Sequence, residues 1–150
     1  MTQNSVGSAT TPYGLPVPFP VDKKYPITCD YGVVGDLWRR GWHARVDIGC
    51  PVGTPVKAVY SGVVHLANFN KNLGESIWIL SKHPILGQFR HNYAHNLALK
   101  FKTGDPVVAG ELISLSGNSG VNIKGEKYSP HLCFGLEFWP SRKPIRPVFI

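Results

Sequence analysis

What most constrains this chain is the spacing of its apolar residues. They come in short runs rich in β-branched and aromatic side chains, cut repeatedly by Gly and Pro, and no stretch sustains a helical period. Strand-like runs cover 44–48, 55–66, 76–80, 89–95, 106–116 and 131–138, with PVG, GDP and GNSG as turn formers between them. The pattern predicts an all-β domain, mainly an antiparallel β-sheet with long loops, and leaves 97–102 as at most a short helical or irregular connection. At 150 residues and 43% hydrophobic, the chain has material for one core and too little for two ordinary domains.

The two ends read differently from the middle. Residues 1–24 are rich in Ser, Thr, Gly and Pro, end in PVPFPV and show no periodicity, which predicts an extended N-terminal arm ahead of a domain at 25–140. The closing PSRKPIRPVFI carries three prolines, which argue against a further central strand, so 141–150 is expected to be a surface tail.

A net charge of +7 attracts polyanions without selecting among them. The basic residues are scattered and lack the interleaved aromatics that place bases, so no specific nucleic-acid partner is expected. No apolar run reaches the length of a membrane span, and MTQNSVGSATTPYG lacks the basic-then-apolar order of a signal peptide. Cys29, Cys50 and Cys133 are an odd set without C-x-x-C spacing, which points to neither a disulfide framework nor a zinc ribbon. Cys29 and Cys50 read as small buried apolar side chains. His65, His83 and His91 read as surface or strand-edge residues.

Residues two apart on a strand face the same way. His43, Arg45 and Asp47 in WHARVDIG would then share one face, as would Tyr93 with His95 in YAH and His131 with Cys133 in HLC. Three segments thus each offer metal-binding or proton-transferring groups at same-face spacing. A hydrolytic zinc site needs three N, O or S ligands and an open position for water, with bases nearby to manage its proton.

Longer stretches carry a family resemblance. HARVDIGCPVGTPVKAVYSGVV resembles the H-x-G-x-D segment and the turn that follows it in the lysostaphin-type zinc endopeptidases. NYAHN is similar to their Y-x-H segment, FKTGDPVVAGELISLSGNSG to their glycine-punctuated central strands, and SPHLCFGL to their closing P-H-L-H-F-E. The resemblance runs from about Tyr25 to Phe138 in the family's order. It implies one Zn2+ per chain held by His43, Asp47 and Cys133, the last standing where the family has histidine. It implies His95 and His131 as the catalytic, non-ligand histidines, with Tyr93 in support. Arg45 replaces the family's Gly. The implied activity is hydrolysis of amide bonds in the stems or cross-bridges of bacterial peptidoglycan; a degenerate wall-binding module is the alternative. A wall-directed activity without a visible signal peptide leads us to expect release by lysis, a holin-type route, or carriage on a virion beside phage structural proteins.

Overall fold

The computed structural model describes residues 14–150, and residues 1–13 of the expected arm lie outside the described residues. No helix occurs among the described residues. Eleven strands form one curled sheet: β1 (Gly14–Val17), β2 (Ile27–Cys29), β3 (Val46–Ile48), β4 (Pro55–Lys57), β5 (Gly62–Asn70), β6 (Gly74–His83), β7 (Gly87–Leu99), β8 (Pro106–Val107), β9 (Leu112–Ser116), β10 (Leu132–Phe138) and β11 (Pro144–Phe149). The spatial order is β1-β11-β10-β7-β6-β5-β8, with β2 and β3 branching from β10, and β4 and β9 from β7. The chain is all-β, as its alternation predicts.

Alternation along β10 decides which face is core. Leu132, Phe134 and Leu136 point inward at 0%, 0% and 2% exposure, and they pack with Ile48, Phe89, Tyr93 and Ile145. The antiparallel register sets Cys133 opposite both Asp47 on β3 and Ala94 on β7, so the other face of β10 looks toward the site. Burying each large apolar side chain contributes about 1.5–3 kcal/mol.

Three expectations need correction. The connection expected at 97–102 is strand as far as Leu99, because Ala98 and Leu99 pair with Leu115 and Ser114 on β9. The surface tail expected at 141–150 contains β11, whose Ile145 is fully buried and which lies between β10 and β1. Its prolines are accommodated because only Pro144 and Ile145 pair with β10, leaving Pro147 to align with Leu15 in a parallel pairing with β1. The same pairing makes Gly14–Val17 of the expected arm a strand of the sheet.

His91, read from sequence as a surface or edge residue, is completely buried. It sits in a chain of hydrogen bonds in which the Tyr93 hydroxyl donates to Nδ1 (2.7 Å), Nε2 donates to Ser81 Oγ (2.9 Å), and Ser81 donates to the Ser61 carbonyl (2.7 Å). Each donor has one acceptor only when His91 is neutral, and burial drives its pKa down to about 3. The unfolded chain binds this proton near its ordinary pKa of 6.5, well above the folded one. Stability is therefore present above about pH 6.5 and is lost as pH falls toward 3. His95, likewise depressed to about 3, adds to the effect in the same window. His43, whose pKa is held up to about 10, gains stability over the same window and offsets one of the two, so urea titrations of metal-free protein should show stability lower by about 1 kcal/mol at pH 5.5 than at pH 7.5. A profile in which stability rises toward pH 5.5 would mean that His91 and His95 are both protonated in the folded state.

Candidate metal and catalytic site

The site lies where β3, β10 and the far end of β7 meet a cleft of roughly 330 Å3, lined among others by Trp38, Arg45, Trp78, Tyr128 and Arg142. His43 and Asp47 reach it as the sequence predicts. His43 stands just ahead of β3, 2% exposed, with Nε2 3.4 Å from Asp47 Oδ1. That separation is too long for a sound hydrogen bond. Asp47 Oδ1 is in fact a buried oxygen with no hydrogen-bond partner. An unsatisfied buried carboxylate oxygen is costly, and a cation beside it removes the cost.

Three histidines are oriented by one device. His43 Nδ1 meets the Asp30 carbonyl at 3.2 Å, His95 Nδ1 the Ser119 carbonyl at 2.9 Å, and His131 Nδ1 the Ser129 carbonyl at 2.8 Å. A carbonyl can only accept, so each Nδ1 carries a proton, and it is Nε2 that each ring turns toward the site. His131 Nε2 lies 3.7 Å from Asp47 Oδ1, and the His95 and His131 rings are 4.7 Å apart between centroids. Tyr128 stacks on His95 at 4.0 Å.

His95 arrives there by a route that alternation does not predict. Strand parity would leave it facing the core with Tyr93. The pairing of β6 with β7 shifts register between Glu75 and Ile77, and His95 takes a left-handed φ of 66°. This bulge turns its side chain out of the core and into the site. Non-glycine residues adopt this conformation only where the surroundings enforce it. Here the His95 amide donates to the Leu73 carbonyl at 2.7 Å, and the 117–120 loop packs over Gly74, where any Cβ would overlap Ser119. Tyr93 is left behind in the core, 0% exposed, its hydroxyl accepting from the Val59 amide at 2.9 Å. The supporting role expected of Tyr93 is therefore not open to it.

Electrostatics follow from crowding. Burial opposes charging of His43, yet its pairing with Asp47 and Cys133 outweighs that and holds its pKa up to about 10. Burial likewise opposes ionising Asp47, but His43 and His131 keep its carboxyl below the ordinary range. Burial first, and then the neighbouring His131, push His95 down to about 3, so it is a neutral base at physiological pH.

The third expected ligand is placed less simply. Cys133 pairs across the sheet with Asp47, but its Sγ accepts a hydrogen bond from Arg45 Nε at 2.9 Å, and Arg45 also reaches Asn92. Gly135 leaves room for that guanidinium, because a Cβ there would press on the Arg45 side chain. The sulfur grouped with His43 and Asp47 is that of Cys29, and the three ligand atoms all lie within 4.8 Å of one another. Cys29, half-buried, was read from sequence as a small apolar residue. Its pairing opposite Asp47 through β2 is a non-local contact with no signature in ITCDYG. Burial and the neighbouring charges of Asp47 and Cys133 raise its thiol to about 11.

These donors suit zinc, which takes N, O and S ligands. Bonds of about 2.0–2.3 Å imply tetrahedral ligand-to-ligand edges of roughly 3.3–3.8 Å, which small side-chain movements would reach from this arrangement. A cation between the orphaned Asp47 oxygen and His43 Nε2 would satisfy the carboxylate and take the place of the proton that His43 otherwise holds there.

A curled antiparallel sheet presenting such donors beside two anchored imidazoles has the layout of a metallopeptidase domain. The family model described as Peptidase family M23 matches residues 41–147, and the chain belongs to that family. It is 31% identical over 123 residues to the L-Ala-D-Glu endopeptidase of Bacillus subtilis, covering 79% of this chain and 36% of that protein. Its fold is similar to the catalytic domain of lysostaphin from Staphylococcus simulans (TM-score 0.65, 31% identity, 76% of this chain and 80% of that one). It is also similar to the catalytic domain of a prophage-encoded M23 protein from Enterococcus faecalis (TM-score 0.64, 25% identity, 93% and 95%). The chain spans between 18% and 36% of the length of the first three curated relatives it matches. No helix among the described residues is long and apolar enough to cross a membrane.

Proposed function

We propose that this domain is a zinc-dependent endopeptidase that hydrolyses amide bonds in the peptide stems or cross-bridges of bacterial peptidoglycan. The observation that carries the reading is the convergence of His43 Nε2 and His131 Nε2 on the unpartnered oxygen of Asp47, beside the neutral base His95.

His43 and Asp47 would hold the metal with thiolate sulfur, Cys133 being the ligand that the family pattern assigns. When bound, zinc would supply Lewis-acid polarisation and a water of lowered pKa. The chain's own residues do the rest. His95, held neutral by burial, accepts the proton of the attacking water at Nε2, while His131, anchored through Nδ1, shares proton transfer and steadies the oxyanion. The cleft's Trp38, Trp78 and Tyr128 give apolar walls for a peptide, and the exposed Arg142 attracts its carboxylates. The resemblance to a prophage-encoded domain over nearly the whole of both chains supports phage carriage, with delivery by lysis, a holin-type route or a virion.

A second reading, a wall-binding module without catalysis, draws on the Arg45 guanidinium that already lies against the Cys133 sulfur. Metal analysis separates the two. Protein purified gently in reducing buffer should carry about one zinc per chain and convert cross-linked muropeptides into uncross-linked products with new amine and carboxylate ends. Protein that holds no zinc, takes none up and still adheres to walls would establish the binding module instead.

A further inference from the structure

We propose that Cys29 is itself a zinc ligand, completing with His43, Asp47 and Cys133 a closed four-ligand shell from which Cys29 must withdraw before water can enter. The inference rests on the reading that this site holds zinc.

Three adjacent strands carry it. Asp47 on β3 lies in register with Cys29 on β2 at one side and with Cys133 on β10 at the other. Directly opposed residues of antiparallel strands project from the same face. The carboxylate therefore has a thiol from each neighbouring strand, each about 4.8 Å away at the backbone. Cys29 Sγ already lies within 4.8 Å of both the His43 and Asp47 donor atoms. Two Cys, one His and one Asp make a complete tetrahedral set, and complete sets belong to closed sites, whereas hydrolytic sites keep one position for water.

Charge supports the count. Two thiolates and a carboxylate exceed a divalent ion by one negative charge, and Arg45 supplies the balancing positive one where its Nε meets Cys133 Sγ at 2.9 Å. A shell with a single thiolate would leave that guanidinium facing a neutral site. The backbone also makes Cys29 the ligand free to leave. Among the described strands, β2 pairs only with β3, over three residues, and its register shifts between Ile27 and Cys29. Cys133 by contrast is held between β3 and β7 in the middle of the sheet.

Cobalt substitution of the full chain tests this, because thiolate-to-cobalt charge-transfer absorption scales with the number of sulfur ligands. Wild type should show a two-thiolate band. Cys29→Ser and Cys133→Ser should each keep about one metal per chain with roughly half the band. In Cys29→Ser, affinity should fall by more than the roughly 10–100-fold that follows loss of an outer-shell partner. With its fourth position freed, Cys29→Ser should also digest purified cell wall faster than wild type. A Cys29→Ser protein with the full band and unchanged affinity overturns the inference and leaves the zinc reading standing. A wild type that takes up neither cobalt nor zinc overturns both.

Discussion

Alanine at His95 or His131 is expected to slow hydrolysis of purified cell wall by about 10²–10⁴-fold, the usual worth of a positioned general acid or base, while bound zinc stays near the wild-type level. His95 sits on a bulge of β7, and its role follows from a neutral Nε2 with no protein partner among its hydrogen bonds. His131 lies one residue before β10, with Nε2 3.7 Å from Asp47 Oδ1. That is close enough to act on a water beside the metal ligands. Zinc content decides the assignment. If His131→Ala loses its metal, His131 is the ligand of the HLC pair and Cys133 is not. If either variant keeps full activity, the proton is managed elsewhere.

The second large effect is on stability. Phe134→Ala should cost about 3–5 kcal/mol, because it removes a ring that is 0% exposed and in contact with Tyr93 and Phe149. A domain of this size has roughly 5–15 kcal/mol in total, so the variant should approach unfolding at 37 °C. Its zinc affinity should fall with its stability, because Cys133 and Gly135 flank Phe134 on the same strand. Urea denaturation supplies the number, and a loss below about 1 kcal/mol would show that the sheet collapses into the space left.

Much of this was legible in sequence, and the misses share a cause. HLCFGLEF alternates so strictly that core and site faces could be separated by parity alone, and His43, Asp47, His131 and Cys133 all fall on the side that parity assigns. His95 comes to the cleft by a route that parity does not give. Parity placed it with Tyr93, and only the bulge opposite Ser76 separates them, a local break that NYAHN does not announce. Cys29 was invisible because its meaning lies in a strand pairing to Asp47, and pairing partners are not written locally. His91 was misjudged because a buried imidazole needs Ser81 and Tyr93 around it, and those contacts cross strands. The prolines of the last strand misled because their cost depends on which neighbour requires the missing donor.

That last strand also bears on how the molecule assembles. Gly14 aligns with Arg146 and Val17 with Phe149, so the first and last described strands complete each other. The hairpin of β6 and β7 can form within microseconds, because its partners are neighbours in sequence. The β1–β11 ladder must wait for almost every other element. Loop-closure entropy falls due before such distant contacts return anything, so refolding should be slow for a chain of this length. During synthesis, β1 emerges long before its partner exists and spends that interval as an unpaired edge.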